Sequence, residues 1–156
     1  MKIDWIKLVL CIVICNLAGV FGALFTAQSI PSWYVYLDKP FFSPPNWLFG
    51  PVWTALYTLM GISFYMILVK GTKKKEGAVK AFVVQLTLNA IWTPLFFGLR
   101  MPMIAFFEII LLLAAIIVTI IKFWKISKPA AYLLVPYLLW VMFASVLNFS
   151  LWILNV

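Results

Sequence analysis

At 156 residues the chain is 66% hydrophobic and only 10% charged, which is more apolar surface than a soluble domain of this size can bury. Lipid is therefore the solvent for most of it. Twelve Lys and Arg stand against four Asp and Glu, with no histidine, so Ser-His and Cys-His nucleophilic machinery and the usual proximal haem ligand are excluded.

Five apolar runs, near 6–27, 47–69, 79–99, 103–122 and 130–154, each reach the roughly 20 residues needed to cross a bilayer core. Backbone groups in lipid must pair within their own segment, so the runs are predicted to be helices of one bundle. The expected fold is an all-α integral membrane protein, a single five-helix transmembrane domain over 1–156. A connector rich in proline and aromatics joins helices one and two.

In the first run, Lys2 and Lys7 flank an apolar stretch from Leu8 to Phe25 that is too long for a signal-peptide core. It reads as a retained span. Cys11 and Cys15 stand one turn apart on it and read as small buried hydrophobes. With no histidine to join them, no metal site is expected. Gly19, Ala23 and Ala27 form a ridge of small residues, as do Ala18, Gly22 and Thr26. Such ridges let helices approach closely, either inside the bundle or between two copies.

From 28 to 45 the connector holds Pro31, Pro40, Pro44 and Pro45 with Trp33, Tyr34, Tyr36, Phe41 and Phe42. Prolines restrict it and the rings need burial, so it is expected to form an ordered lid over one mouth of the bundle. Asn46, preceded by Pro45, is expected to cap the second helix. The later connector Lys70–Gly77 has glycine and lysine but not the spacing of a phosphate-binding loop.

Three helices carry one-sided stripes. Phe49, Trp53 and Tyr57 recur every four residues on span two. Gln85, Asn89, Trp92 and Phe96 share a face of span three. Tyr137, Trp140, Ala144, Leu147 and Asn148 share one on span five. Unpaired amides are costly in hydrocarbon, so these faces point into the bundle. Trp5, Trp47, Trp124 and Trp152 lie near span ends, as interfacial tryptophans do. Trp53 and Trp92 lie about 10 Å deep and Trp140 about 20 Å deep, at 1.5 Å per residue, and suggest a flat aromatic pocket. Pro51, Pro94 and Pro136 should free the carbonyls of Trp47, Ala90 and Tyr132 and loosen the packing around that pocket.

The four acids are Asp4, Asp38, Glu76 and Glu108. No pair of them suits acid–base hydrolysis. Glu108 alone falls within a span. It is expected to snorkel to the interface or pair with Arg100, or else to couple protons in a small-molecule transporter. Basic residues number ten on one side of the expected topology and two on the other. The positive-inside rule places the N-terminus in the cytoplasm, and the aromatic connector and C-terminus outside. The net charge of +8 follows from this bias, and no nucleic-acid surface is needed to explain it.

The pattern K-P-x-x-x-P-P-x-W-x-F-x-P-V-W-x-x-L-Y, from Lys39 to Tyr57, resembles the signature of the TspO/MBR family. These are the tryptophan-rich sensory proteins of bacteria and the mitochondrial translocator protein, once called the peripheral benzodiazepine receptor. Gln85–Arg100 resembles the family's third helix, and Pro136–Trp140 with Phe143–Asn148 resembles its fifth. The resemblance implies a membrane receptor or sensor for flat apolar aromatic ligands: protoporphyrin IX and isoquinoline or benzodiazepine-type compounds. It places Trp53, Asn89, Trp92, Trp140, Ala144, Leu147 and Asn148 in the pocket. Tyr34, Phe49, Tyr57, Phe96 and Tyr137 complete the candidate ligand-binding set. Light- and oxygen-dependent porphyrin breakdown is implied too, with Trp53 and Trp140 as its electron-rich side chains. No cofactor is required, and protoporphyrin IX is the expected ligand or substrate. A homodimer in the cell membrane is implied. Phe149 and Ile153 stand where the mitochondrial members carry a tyrosine and an arginine for cholesterol, so that motif is broken. Leu59, Tyr65 and Lys70 match only a loose sterol pattern.

Overall fold

The computed structural model describes residues 3–156; Lys2 of the charge tally lies outside them. The five expected spans are five helical rods. The first is α1 (Trp5–Ser32) and the second α2 (Asn46–Leu68). The third is α3 (Lys75–Thr93), which runs on as a π-helical turn over Pro94–Gly98. The fourth is α4 (Pro102–Trp124). The fifth is broken into α5 (Lys128–Leu133) and α6 (Val135–Leu154). All five are long and apolar enough to cross a membrane. They alternate in direction, so the lysine-rich connectors gather at one end, the basic end. The segment between α1 and α2 sits at the other, the aromatic end.

Local chemistry sets the boundaries. Asp4 caps α1, its carboxylate accepting from the Lys7 amide at 3.1 Å. That hydrogen bond holds the exposed Asp4 carboxyl below its ordinary range. The helix extends five residues beyond the expected end at 27 and takes Pro31 into its last turn. A proline there removes one helical hydrogen bond, to the Ala27 carbonyl, and the helix ends one residue later. Asn46 does not cap α2. Pro45 takes the cap position without a side-chain bond, and Asn46 is the first helical residue.

Prolines also shape the later spans. Pro94 opens the π-turn, in which the Leu99 amide donates to the Pro94 carbonyl at 2.8 Å. Arg100 then ends the rod with φ of 56°, a left-handed conformation uncommon outside glycine. Pro136 falls in the first turn of α6, where its missing N–H is no loss. The expected kink is therefore a break at Leu134 between two helices.

Two glycines allow the closest approaches. A Cβ on Gly61 of α2 would lie 2.5 Å from the Ile12 Cα of α1. The helices touch backbone to backbone there. A Cβ on Gly19 would lie 2.5 Å from the Tyr57 ring. The small residues of α1 thus face the bundle. Cys11 and Cys15 are buried and free beside the Gly61 contact.

The basic-end half is filled by a continuous core in which Phe82 stacks between Phe64 and Phe123. The aromatic-end half is packed differently, and a cavity lies in it.

Candidate ligand cavity

Above the Gly61 contact, α1 and α2 diverge. Gly50 has open space around its Cα, where Gly61 has backbone against it. The divergence leaves a cavity of about 420 Å³, within the size range of small-molecule sites.

Its walls come from four helices and the connector. Helix α2 supplies Phe49, Trp53 and Tyr57. The end of α3 and its π-turn supply Trp92, Thr93, Phe96 and Phe97. From α6 come Trp140, Ala144, Leu147, Asn148 and Leu151, and Tyr34 closes the top. Trp53 stacks on Tyr57 with ring centroids 5.4 Å apart, and Trp92 on Phe96 at 5.1 Å. Phe49 meets Trp140 edge-on at 6.1 Å. Trp33 and Tyr34 cover Phe96. These offset and edge contacts hold the rings as rigid walls.

Ten of the twelve predicted ligand-binding residues line this space. Asn89 and Tyr137 do not. They sit behind the wall in a closed hydrogen-bonded chain. The Tyr57 hydroxyl donates to Asn89 Oδ1 at 2.5 Å, and Asn89 Nδ2 donates to Tyr137 Oη at 3.1 Å. Asn89 also borders a second space of about 10 Å³ shared with Trp53, Trp92 and Ala144, too small for anything beyond one water. Asn148 reaches the cavity, but its amide is engaged. It accepts from Trp92 Nε1 at 3.1 Å and donates to the Pro102 carbonyl at 2.8 Å. Both asparagines therefore tie helices together.

The fourth wall was not anticipated. Asn16, Gly19, Val20, Gly22, Ala23, Thr26, Ala27 and Ile30 of α1 line the cavity, as do Asn46, Gly50 and Thr54 of α2. The small-residue ridges are the legible signal for α1, although they read first as close packing. One stretch of the ridge serves both purposes, because Gly19 and Gly22 abut Tyr57 and Thr93 while their neighbours leave room. Pro31 also deprives the Ala27 carbonyl of its helical donor on this wall.

Few polar groups remain free toward the cavity. The Trp140 indole N–H and the Tyr34 hydroxyl are not among them: both atoms are buried in the wall, without a hydrogen-bond partner among the described residues, the Tyr34 hydroxyl beside Ser43. Burial raises the Tyr34 hydroxyl above the ordinary phenol range, so it stays a donor at neutral pH.

Glu108 behaves differently from both structural expectations. It neither snorkels nor pairs with Arg100. It is 8% exposed, and both carboxylate oxygens lack a partner among the described residues. Arg100 instead donates to Ser32 Oγ at 3.3 Å and lies over the Trp33 ring. Register explains this: Glu108 projects from the inward face of α4 with Ala105, Ile109 and Leu112, while Arg100 turns away in its left-handed corner. Helix α4 contributes nothing to the cavity. Glu108→Gln is accordingly expected to leave ligand affinity within about threefold of the parent across pH, measured by binding titration. A loss beyond about tenfold, or 1.4 kcal/mol, would bring the acid into the site.

Of the four tryptophans at the span ends, Trp5, Trp47 and Trp124 are exposed, and Trp152 is half-buried against Phe106 and Phe107. Tyr65 of the loose sterol pattern is buried, and its hydroxyl accepts from the Asp4 amide at 2.9 Å. It does not face lipid.

The TspO/MBR family profile matches residues 11–153, nearly the whole rod bundle and every wall of the cavity. The chain belongs to the TspO/MBR family. It is 47% identical to the Tryptophan-rich protein TspO of Archaeoglobus fulgidus, covering 96% of this chain and 97% of that protein. It is 38% identical to the Translocator protein of Bos taurus, over 95% and 89%. Identity to the Tryptophan-rich sensory protein of Cereibacter sphaeroides is 32%, over 99% and 95%. Membership in TspO/MBR, with five membrane-crossing helices, makes this a multi-pass membrane protein and supports a receptor or sensor role.

Proposed function

We propose that this TspO/MBR protein binds flat, apolar aromatic molecules in the aromatic-end cavity, metal-free protoporphyrin IX foremost and isoquinoline or benzodiazepine-type compounds second. The observation that carries the reading is the wall itself. Trp53, Trp92 and Trp140 border one cavity from three helices, and most nearby polar groups are already paired. Such a surface favours ring stacking over hydrogen bonding. A chain without histidine offers haem no ordinary proximal ligand, which favours the metal-free ring. In light-driven breakdown of bound porphyrin by dioxygen, an electron-rich side chain at the ring would pass an electron to the photo-excited porphyrin, which hands it on to dioxygen, and Trp53 and Trp140 are the side chains proposed for this.

Tryptophan fluorescence tests the reading directly. Added protoporphyrin IX should quench it saturably, at about one ligand per chain. Quenching that never saturates would mean the porphyrin only partitions into detergent or lipid, and the reading would fall.

The proposed setting is the cell membrane, as a homodimer, with the basic end in the cytoplasm. A reporter active only outside the cytoplasm, fused after Val156, should be active. Activity of a cytoplasm-only reporter at that position would reverse the orientation.

A proton-coupled transporter is the second reading. Glu108, buried in a span without a partner, favours it. The affinity of Glu108→Gln across pH separates the two.

A further inference from the structure

The connector from Trp33 to Pro45 lies at the top of the cavity and covers it through Tyr34, and apolar contacts hold it from below. Tyr34 is buried on Phe97 with centroids 5.6 Å apart, and Phe42 rests on Phe143 at 6.2 Å. Its polar attachment is narrower. Among the described residues, the only hydrogen bonds from 34–44 to residues outside the connector run to Asn155. The Asp38 amide donates to Asn155 Oδ1 at 2.9 Å, and Asn155 Nδ2 donates to the Asp38 carbonyl at 3.0 Å. One side-chain amide thus pairs with both main-chain groups of one residue, as a neighbouring strand would. The same Nδ2 donates to the Leu151 carbonyl one turn back at 2.8 Å, and Leu151 lines the cavity. The remaining polar bonds of the segment are internal, such as Lys39 Nζ to the Val35 carbonyl at 3.2 Å.

The arrangement is a clasp. It joins the middle of the cover, 117 residues away in sequence, to the end of α6. Asn155 is exposed, at the helix end, and its amide is not needed to satisfy a buried core. Apolar contacts alone leave the cover free to rock about its ends at Ser32 and Pro45. Two hydrogen bonds at its middle oppose that rocking.

We propose that Asn155 is the positioning residue that keeps the cover shut, and that release of its clasp sets how fast a ligand enters and leaves. The second part rests on the ligand-binding reading above; the first does not. The clasp touches only main-chain atoms of the cover. It governs rates more than affinity.

Hydrogen exchange on the full-length, ligand-free protein tests the clasp. In Asn155→Leu, peptides spanning 33–45 should exchange roughly tenfold faster, the scale of two lost ordinary hydrogen bonds. Asp38→Ala should match the parent, because the clasp reads the backbone. Asn155→Asp keeps one acceptor, loses the donor and should fall between. Unchanged exchange in Asn155→Leu, acceleration confined to the Asp38 amide, or equal acceleration in Asp38→Ala would each overturn the clasp. Stopped-flow binding of protoporphyrin IX then tests the rates. Association and dissociation should both quicken in Asn155→Leu, with Kd within about threefold. Faster dissociation with unchanged association would reduce Asn155 to an affinity contact. If the parent binds no porphyrin, the ligand reading fails, and the exchange comparison still decides the clasp.

Discussion

Ala144→Phe should abolish porphyrin binding. Ala144 sits on α6 one turn beyond Trp140, and it borders both the main cavity and the small space behind it. A benzyl group there has no slack to enter, because the space behind holds only about 10 Å³. It must project into the 420 Å³ cavity that Trp53 and Trp92 also line. The ligand then loses stacking area and meets a steric wall, since packed cores yield little. A rise in Kd of at least about a hundredfold is expected, or about 2.8 kcal/mol. Ala144→Ser, which adds one small atom, should bind within a few-fold. Thermal unfolding on the same preparations would show that the phenylalanine variant is folded. Near-parental affinity in a folded Ala144→Phe protein would place the ligand elsewhere.

Trp53→Phe and Trp140→Phe should separate binding from chemistry. Phenylalanine keeps a flat apolar face at each site, so Kd should rise no more than about fivefold, some 1 kcal/mol. Phenylalanine is much harder to oxidise than indole. If the side chains donate electrons to photo-excited porphyrin, light-driven loss of porphyrin absorbance should slow at least about tenfold in each variant, or 1.4 kcal/mol in the barrier. The two need not behave alike. Trp53 is stacked on Tyr57, whose hydroxyl leads into the Asn89–Tyr137 chain. Trp140 instead packs against Phe49 and Phe143, with its indole N–H buried in the wall. Parallel losses of affinity and breakdown in both variants would reduce the tryptophans to walls.

Several features were legible in the order of residues because they depend on composition and period alone. Lipid as solvent follows from the apolar runs, and helices follow from lipid, since backbone groups there have no other partner. The inward faces of α2, α3 and α6 follow from aromatics and amides recurring every three or four residues, a spacing that fixes direction about a helix axis. Family membership was legible in the Lys39–Tyr57 motif, and the comparisons show it.

Other features depend on which residues meet, and period is silent about that. Asn89 and Asn148 carry the same signal as a ligand contact, yet their amides are spent on Tyr57, Tyr137, Trp92 and Pro102. Helix α1 has no polar or aromatic stripe, so its contribution to the cavity emerges only from where it crosses α2. A backbone contact at Gly61 forces the helices together at one level, and the cavity opens above it. Glu108 was legible as an acid in a span. Its lack of any partner was decided by the rotation of α4 and the corner at Arg100. Helix direction is a property of each segment by itself, and the sequence determined it. Cavity, clasp and pairing are properties of contacts between distant segments, set by the packing of helix against helix, and only the tertiary structure decided them.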